Sequence, residues 1–584
     1  MTAESMAEVL RNIATLLELQ DENPFKVRAY RTGADVVESF PGDIVALAKE
    51  DKLTGIKGIG DALRDKLHQL ATTGKMEFYE NLKAQFPGTI LELFEISGLG
   101  PKKIAALYKQ LNVASVADLK RVCEDGTASA LSGFGDKTVH KLLEAIAFRE
   151  SHAAEFRSGD IAPIVEQVLE ALRDHPAVSR VDVCGSYRRG KEISRDLDFL
   201  VASKQPQRVI DDFVSLPLFV NTIAKGDTKA SVHTEAGLQC DLRVVSNEEY
   251  PFALVYFTGS KEHNVAMRQM CLDRGWSLNE YGITVSPGAE KPPAIHEERD
   301  LHAALGLEFI PPELRENQGE FAAAQNGRLP RLVELSNLRG TFHNHTTASD
   351  GNASLEQMAE AAQELGLQYL GIADHSKSSF QANGLSAERL MKQVQAIRKL
   401  NADSEDGFRL FAGSEVDILK DGTLDFDDEV LAQLDYVVAS VHNAMTLPST
   451  EMTKRIIRAI ENPHVTMLGH LTGRLLLQRP SYEVNVPAII DAAAETGTII
   501  ELNASPWRLD MDWRWWKLAQ DKGVKTSINP DAHSTRGLQD LYFGIRSARK
   551  GWLTKKCVIN TQPLDEVEKT LQAKRHKFGL SGPA

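Results

Sequence analysis

Three carboxylates on two apolar segments are the first residues whose types and spacing suggest chemistry. Asp196 and Asp198 are one residue apart in DLDFLV, and Asp241 lies in a second apolar segment, QCDLRVV. Side chains i and i+2 of a β-strand share a face, and carboxylates on one face repel each other unless a cation lies between them. Carboxylates from neighbouring strands would bind Mg²⁺, and two such ions support in-line phosphoryl transfer.

A short glycine turn precedes the first of these segments. Gly185 and Ser186 open the sequence GSYRRGK, in which Arg189 could neutralise a polyphosphate. An isolated Asp-x-Asp is usually a turn or a salt-bridged pair. The neighbouring glycine, serine and arginine instead favour a site that handles nucleotides.

The C-terminal part of the chain contains a second group of potential metal ligands. Over residues 337–584, short apolar segments alternate with helical patterns, which predicts a βα barrel. Ligand-type residues follow these segments, where barrel enzymes place their chemistry. They are His343, His345, Asp350, His375, Glu415, His442, His470, Asp531 and His533.

A single histidine at such a position is usually a hydrogen-bonded core residue, but packing does not explain a whole series of them. The mixture of imidazole and carboxylate groups suits Zn²⁺, Mn²⁺ or Fe²⁺ better than Mg²⁺ alone. Asn503, at the end of TIIELN, is expected to line the same pocket.

The first 150 residues contain three Gly-hydrophobic-Gly turns between helical patterns. Such a turn joins two helices and leaves backbone amides at a helix N-terminus free for a phosphate oxygen. One turn of this kind is usually only a connection, whereas three in one small region, two of them closely followed by lysine, favour a functional role. The pattern resembles the helix–hairpin–helix, which binds a DNA backbone irrespective of base sequence. The residues are Gly58, Gly60, Gly98, Gly100, Lys102, Gly133 and Gly135. The segment NPFKVRAYR adds Lys26 and Tyr30, although a solvated helix face has the same composition.

The elements that position these residues belong to a long chain of ordinary globular composition. At about 150 residues per domain, 584 residues predict about four domains. A chain with 42% hydrophobic and 25% charged residues is neither disordered nor fibrous. We find no apolar run of the ~20 residues that cross a bilayer, no secretory leader and five scattered cysteines. These features predict a reduced, cytoplasmic protein without a membrane partner.

The net charge argues against a nucleic-acid ligand. The chain carries −14, and residues 1–320 carry 37 basic against 49 acidic side chains, a net charge of −12. A DNA-binding domain is typically basic. DNA contacts would therefore have to come from the backbone amides of the glycine turns and from local lysines and arginines.

The motifs around the aspartates resemble those of a known family. GSYRRG followed by DLD resembles the nucleotidyltransferase signature of family X DNA polymerases, the DNA polymerase β group, and YFTGS with NEYG resembles the family's nucleotide-binding stretch. The resemblance implies that Asp196 and Asp198 bind two Mg²⁺ or Mn²⁺ ions, and that Asp241 binds the catalytic one and helps to activate the primer 3′-OH. It also implies a dNTP site formed by Gly185, Ser186, Arg189, Tyr256, Phe257, Gly259, Asn264 and Arg268.

The N-terminal region is similar to the small domain of the same family that binds a 5′-phosphate at a gap. Lys66 falls at the position of the lysine that forms a Schiff base with 5′-deoxyribose phosphate in some relatives, but Ala62 replaces a neighbouring basic residue, which leaves the lyase activity open. Arg195 stands where the family usually has glycine before the first aspartate, so one backbone contact to the triphosphate is expected to differ.

The order of the C-terminal ligands, HxH…D…H…E…H…H…DxH, resembles the polymerase and histidinol phosphatase (PHP) domain. The resemblance implies a distorted βα barrel with two to three Mn²⁺, Zn²⁺ or Fe²⁺ ions that cleaves phosphodiesters at DNA 3′ ends, and such domains are also associated with cleavage at abasic sites. The implied ligand groups are His343, His345, Glu415 and Asp531; Glu415, His442 and His470; and Asp350, His375 and His533.

Together these patterns predict a multidomain α/β protein: a helical N-terminal helix–hairpin–helix region, a nucleotidyltransferase palm with a mixed sheet, a small thumb and a PHP barrel. The expected boundaries are 1–85 for the gap-binding domain with the first hairpin, 86–150 for a fingers-like region with two more, 151–250 for the palm, 251–318 for the thumb, 319–336 for a linker and 337–584 for the PHP domain.

The predicted function is a DNA-directed DNA polymerase that fills short gaps in base excision repair, coupled to a 3′–5′ exonuclease in the PHP domain. Expected partners are gapped or nicked DNA with a 5′-phosphate, dNTPs and other repair enzymes, in the cytoplasm with the nucleoid. Two alternatives stay open. One is a metallophosphoesterase whose polymerase half only clamps DNA, and the other is a non-catalytic repair scaffold.

Overall fold

The computed structural model describes residues 3–40, 43–96, 98–404 and 407–582. The N-terminal region is helical because apolar side chains recur at helical spacing and pack into one core, with Leu10, Leu67 and Leu107 fully buried. Short 3₁₀ turns lie at Ile90–Glu95 and Thr127–Ala130. The helices are α1 (Ala3–Leu19), α2 (Pro24–Ser39), α3 (Ile44–Lys49), α4 (Asp61–Thr73), α5 (Glu77–Lys83), α6 (Pro101–Leu111), α7 (Val116–Glu124) and α8 (Asp136–Ser151).

The palm is built on a five-stranded mixed sheet of order β2-β4-β7-β6-β5, in which only β4 and β7 pair in parallel. Apolar residues of β4, such as Phe199, pack with Phe213 into the core under the sheet. The elements are β1 (Phe156–Arg157), α9 (Ser158–Arg173), β2 (Val178–Val183), α10 (Gly185–Arg188), β3 (Ile193–Ser194), β4 (Asp196–Ser203), α11 (Pro206–Val214), β5 (Phe219–Lys225), β6 (Lys229–Thr234) and β7 (Gln239–Val245).

The thumb is small and consists mainly of helices with one hairpin. The expected linker, residues 319–336, contains a short helix over Glu320–Gln325. Its Ala324 packs into the thumb core, and its Glu320 is buried beside His263, at 2.8 Å from the His263 Nδ1. The segment is thus an ordered part of the thumb packing. The elements are α12 (Tyr250–Thr258), α13 (Lys261–Leu272), β8 (Trp276–Asn279), β9 (Gly282–Val285), α14 (Glu298–Ala304) and α15 (Glu320–Gln325).

The C-terminal domain alternates strands and helices, and all its paired strands are parallel. They are β10 (Gly340–Thr341), α16 (Leu355–Glu364), β11 (Tyr369–Ile372), α17 (Ala387–Asp403), β12 (Arg409–Ala412), β13 (Glu415–Asp417), α18 (Asp428–Leu431), β14 (Val438–Ser440), α19 (Ser449–Glu461), β15 (Met467–Leu468), α20 (Val486–Thr496), β16 (Ile499–Asn503), α21 (Trp516–Asp521), β17 (Thr526–Asn529), α22 (Leu541–Lys550) and α23 (Leu564–Lys577).

These strands form a distorted barrel. Strands β10 to β12 form one sheet and β13 to β17 a second, and parallel bridges between His375 and Glu415 and between Asn344 and Ala532 join the two. The break between β12 and β13 falls at Gly413, where a Cβ would lie 2.4 Å from the Tyr436 ring. The predicted fold class is confirmed. Within the described ranges, none of the helices is long and apolar enough to span a membrane.

Candidate active sites

The palm sheet places the three predicted aspartates on one face. In the parallel register of β4 with β7, Asp198 lies opposite Asp241 and Asp196 opposite Gln239. Gln239 Nε2 donates to Asp241 Oδ1 at 3.0 Å, and Lys229 Nζ lies 3.3 Å from Asp241 Oδ2. Burial, together with the charges of Asp196 and Asp241, raises the pKa of Asp198 to about 7. The carboxylates therefore concentrate negative charge that a divalent cation would neutralise.

Residues 185–191, here called the palm turn, lie against this carboxylate face. Gly185 has a φ of +61°, and a Cβ at this position would lie 2.5 Å from Asp198 Oδ2. Glycine is therefore required both by the left-handed backbone and by the approach of Asp198. Ser186 Oγ donates to Ser194 Oγ at 2.8 Å.

The two arginines near the aspartates are both engaged elsewhere. Arg189 Nη1 donates to the carbonyl of Thr258 at 2.6 Å and its Nε donates to Glu316 Oε1 at 3.0 Å, so the thumb holds its guanidinium in place. Its charge still acts on Asp198 and partly offsets the rise in the pKa of that carboxyl. Arg195 is exposed and bonds Glu155 at 2.8 Å. The arginine that replaces the usual glycine is thus accommodated at the surface.

The predicted nucleotide-selecting residues of the thumb come together around one tyrosine. The rings of Tyr256 and Phe257 meet edge to face with centroids 5.1 Å apart, and the Arg268 guanidinium lies 5.1 Å from the Tyr256 centroid. Asn264 Nδ2 donates to the Tyr256 carbonyl at 2.7 Å. Gly259 has a φ of +52°, and a Cβ added at this position would lie 3.3 Å from Asn264 Nδ2.

The three N-terminal glycine turns share one geometry. The first glycine of each has a φ between +87° and +95°, and the second occupies the N-cap of α4, α6 or α8 without a side-chain cap. The intervening residues, Ile59, Leu99 and Phe134, are buried. A Cβ on any second glycine would meet only open space. Each turn therefore presents uncapped helix amides to solvent, which is the arrangement that binds phosphate.

The remaining N-terminal candidates surround a residue that the sequence did not single out, Phe78. Its ring stacks on Tyr30 with centroids 5.8 Å apart, and the ammonium groups of Lys66 and Lys26 lie 5.0 and 5.7 Å from its centroid. Lys66 Nζ also donates to the carbonyl of Ala62 at 3.1 Å. The structure thus brings Lys26, Tyr30 and Lys66 into one cluster.

In the C-terminal domain, all nine predicted ligands converge at the carboxyl ends of the barrel strands. Glu415 is at the centre: His470 Nε2 lies 2.9 Å from its Oε1, His442 Nε2 3.2 Å from the same oxygen, and His375 Nδ1 2.8 Å from Oε2. The same oxygens lie 3.4 and 3.8 Å from His343 Nε2 and His345 Nε2.

The remaining members extend this cluster. His345 Nε2 lies 3.1 Å from Asp531 Oδ1, and Asp350 Oδ2 lies 3.4 Å from His533 Nε2 and 3.6 Å from His375 Nε2.

Three sets of these ligands lie close enough to share a metal ion, with ligand atoms within 4.8 Å of one another. They are His345, Asp350, His375 and His533; His343, His345 and Glu415; and His375, Glu415 and His442. The sets overlap with the predicted groups but are not identical, because His375 also lies beside Glu415. Among the residues that the structure describes, the palm aspartates do not form such a set.

The cluster fits a divalent cation. His343 Nε2 and Glu415 Oε2 are buried, and although atoms of opposite charge lie close to them, neither makes a hydrogen bond of suitable geometry in the described part of the chain. Burial alone would lower the pKa of His375, but Glu415 and Asp350 outweigh it and raise that pKa to about 11. Positive charge is thus strongly favoured here, and imidazole and carboxylate donors are typical ligands of Zn²⁺, Mn²⁺ and Fe²⁺.

Buried carboxylates behind the ligands were missed by the sequence analysis. Glu501 Oε1 lies 2.7 Å from His343 Nδ1, and Asp417 Oδ1 lies 2.5 Å from His442 Nδ1. Such partners fix the imidazole so that Nε2 faces the metal. Asn503 lines the pocket as expected and donates to Asp531 Oδ2 at 3.0 Å, and Arg508 Nε, also missed, lies 3.5 Å from the same oxygen.

Both missed carboxylates could have been found from the two-residue repeat of a β-strand, which places every second side chain on the same face. Glu501 precedes Asn503 by two residues, and Asp417 follows Glu415 by two, so each shares a strand face with a predicted pocket residue.

Family models match five parts of the chain. A helix-hairpin-helix domain matches residues 1–76, a SAM-like helix-hairpin-helix tandem 90–147, the DNA polymerase beta palm 158–236, the DNA polymerase beta thumb 253–316 and the PHP domain 341–505.

Curated relatives resemble the whole chain or one half of it. The chain is 39% identical over 575 residues to the DNA polymerase/3′-5′ exonuclease PolX of Bacillus subtilis (strain 168), covering 98% of this chain and 100% of that protein. It is 28% identical over 249 residues to a probable phosphatase of Thermoanaerobacter sp. (strain X514), covering 41% of this chain and 96% of the relative. It is 27% identical over 302 residues to DNA polymerase lambda of Arabidopsis thaliana, covering 48% of this chain and 52% of the relative.

Proposed function

The chain belongs to the family X DNA polymerases that carry a C-terminal PHP domain, and on that basis we propose that it fills short DNA gaps in base excision repair and trims 3′ ends. The enzyme is a DNA polymerase with a 3′–5′ exonuclease, and both activities are metal-dependent. Its substrates are DNA and dNTPs. The gap preference, the repair role, the metal identities and the residue roles given below are parts of the proposal.

In the polymerase site, Asp196, Asp198 and Asp241 would hold Mg²⁺ or Mn²⁺, which activates the primer 3′-OH and neutralises the triphosphate. The aspartates come from two strands in register, so the sheet fixes their spacing. Gly185 lets the backbone of the palm turn approach the triphosphate, with Ser186 and Arg189 as its side-chain contacts.

The thumb residues select the nucleotide in this proposal. The Tyr256 and Phe257 rings pack against the sugar and disfavour a ribose 2′-OH. Asn264 and Arg268, held next to Tyr256 by its carbonyl and its ring, contact the minor-groove edges of the new base pair. Gly259 keeps this stretch compact because it allows Asn264 to approach.

In the PHP site, the nine ligands would hold two to three Mn²⁺, Zn²⁺ or Fe²⁺ ions, which activate water and neutralise the scissile phosphodiester. Glu501 and Asp417 orient His343 and His442 toward the centre. Arg508 lies at the edge of the cluster and could contact a substrate phosphate. Cleavage at abasic sites would use the same centre.

The N-terminal helical region holds DNA through its phosphate backbone and not through its bases. The uncapped amides of α4, α6 and α8 bind the phosphate backbone, with Lys102 beside the second turn. The cluster of Lys26, Tyr30 and Lys66 around Phe78 is the candidate site for a 5′-phosphate. Lys66 is also the candidate Schiff-base lysine.

The observation that carries the proposal is that one chain contains two separate groups of potential metal ligands, one around Asp198 and Asp241 and one around Glu415. Gap filling is tested with a one-nucleotide gapped duplex that carries or lacks the downstream 5′-phosphate, in Mg²⁺ or Mn²⁺. We expect tighter binding and faster incorporation with the 5′-phosphate. Equal binding to phosphorylated gaps and intact duplex would contradict the repair assignment.

A further inference from the structure

Helix α22 of the PHP domain packs directly on the palm turn. Lys550 is completely buried, and its ammonium donates to the backbone carbonyl of Arg189 at 3.0 Å and to Glu316 Oε1 at 2.7 Å. One helical turn earlier, Arg546 donates to the carbonyl of Tyr187, and its guanidinium lies 4.4 Å from the centroid of that ring. Two cations of the nuclease domain thus bind backbone oxygens of the polymerase half.

Glu316 connects this contact to the Arg189 side chain. Its Oε1 accepts both from Lys550 Nζ and from Arg189 Nε, while Arg189 Nη1 donates to the carbonyl of Thr258. The guanidinium is therefore fixed by the thumb on one side and by a carboxylate that Lys550 holds on the other. A buried lysine with a carboxylate partner is costly to leave half-paired, which makes the arrangement specific.

The palm turn packs closely against α22. Gly190 has a φ of +68°, and a Cβ there would lie 3.3 Å from the Arg546 carbonyl. Just beyond the turn, Glu192 bonds Arg474 of the PHP domain at 2.5 Å. The nuclease domain thus contacts the middle of the turn and the residue that follows its C-terminal end.

We propose that α22 is a positioning element of the polymerase site, in which Lys550 and Arg546 hold the palm turn so that Ser186 and Arg189 are preorganised for the incoming triphosphate. The inference rests on the nucleotide-binding role of the palm turn given under the proposed function. It assigns to the PHP domain a part in nucleotide binding that is separate from its own metal centre.

The test compares Lys550→Met with Lys574→Met. Lys574 is a matched control, since it is also a buried lysine of the PHP domain but donates to the carbonyl of Val465 at 2.9 Å and to Thr498 Oγ1 at 2.8 Å, away from the palm. Steady-state dNTP incorporation is measured on a gapped duplex, and exonuclease rate on a single strand, with circular dichroism as a check on folding.

For Lys550→Met we expect the dNTP KM to rise about tenfold while kcat and the exonuclease rate change less than about threefold, because binding of the triphosphate is weakened equally in the ground state and the transition state. Lys574→Met should leave the dNTP KM unchanged. An unchanged KM in Lys550→Met, or an equal rise in both variants, would overturn the inference.

Two further variants guard against misfolding. Arg546→Leu, at a half-buried position, should also raise the dNTP KM. Glu316→Gln combined with Lys550→Met should raise KM by less than the product of the single effects, because both act through Arg189. A KM of the double variant equal to the product of the two single effects would contradict the idea that Glu316 and Lys550 both act through Arg189. A wild-type enzyme that incorporates no dNTP would refute the proposed function instead.

Discussion

Replacing Glu501 by glutamine tests the carboxylate that lies behind the proposed metal centre of the PHP domain. Each of its oxygens accepts from two donors: Oε1 from His343 Nδ1 at 2.7 Å and Asn529 Nδ2 at 3.0 Å, and Oε2 from the His470 amide at 2.7 Å and Asn503 Nδ2 at 3.3 Å. Glutamine offers one acceptor and one donor. Whichever way the amide turns, its NH₂ therefore faces two groups that also donate.

The expected loss of metal affinity in Glu501→Gln follows from these four contacts. If the NH₂ faces His343, that ring must place its proton on Nε2, the nitrogen that is needed for the metal. If it faces the His470 amide, a buried backbone donor is left unpaired, which costs about 1–3 kcal/mol. Loss of such a carboxylate–histidine partner lowers metal affinity by about 10–100-fold. We expect a decrease of this size in Mn²⁺ affinity and in exonuclease activity at limiting metal.

The assay is a Mn²⁺ titration of exonuclease activity, with metal content measured after dialysis. Glu566→Gln is the control, because Glu566 is exposed on α23 of the same domain. Polymerase activity should be unchanged in both variants. A folded Glu501→Gln enzyme that keeps its metal and its Mn²⁺ half-saturation within twofold of wild type would refute the reasoning.

Three further predictions use other parts of the chain. Gly185→Ala should reduce dNTP incorporation by at least about 100-fold on a gapped duplex with the exonuclease intact, because the new Cβ would meet the Asp198 carboxylate; normal incorporation would contradict this. Lys102→Ala should weaken binding to all DNA sequences alike and reduce the slope of log affinity against log salt by about 1, as measured by fluorescence anisotropy; an unchanged slope would exclude a phosphate contact. Burial, helped by the nearby Arg315 charge, lowers the pKa of His302 in the folded state to about 3. In the unfolded state His302 has its usual pKa of about 6.5 and takes up a proton below that pH. The folded state should therefore lose about 2 kcal/mol of stability as the pH falls from 6.5 to 5. The thermal midpoint of His302→Gln should therefore depend less on pH over this interval, and an equal dependence would count against the buried neutral imidazole.

Residues that act through strand position could be predicted from the sequence. Asp196 and Asp198 share a face because they are two residues apart, and the C-terminal ligands follow strand ends, so the period of a strand already brings them together. The ligand positions needed no knowledge of side-chain contacts. Which of these candidate ligands lie close enough to share an ion did need it, since His375 lies beside Glu415 as well as Asp350.

Contacts between distant segments could not be predicted in this way. Nothing local marks Lys550 as a partner of Arg189, because 361 residues separate them. The bulk charge was misleading for a different reason: the glycine turns present uncapped helix amides, which can bind phosphate without a basic side chain. Residues 319–336 were predicted to be a linker, but they contain the buried Glu320, which hydrogen-bonds His263 and the backbone amide of Asn317.

The central claim is that two independent active sites operate in one chain, and a single labelled gapped duplex tests it most directly. Wild type, Asp198→Ala and His343→Ala are compared in Mn²⁺ with and without dNTPs. We predict that Asp198→Ala no longer extends the primer but still shortens it, whereas His343→Ala extends it and no longer shortens it. If Asp198→Ala still extends the primer, the result supports the alternative in which the polymerase half only clamps DNA. Loss of both activities from either substitution would contradict two separate sites.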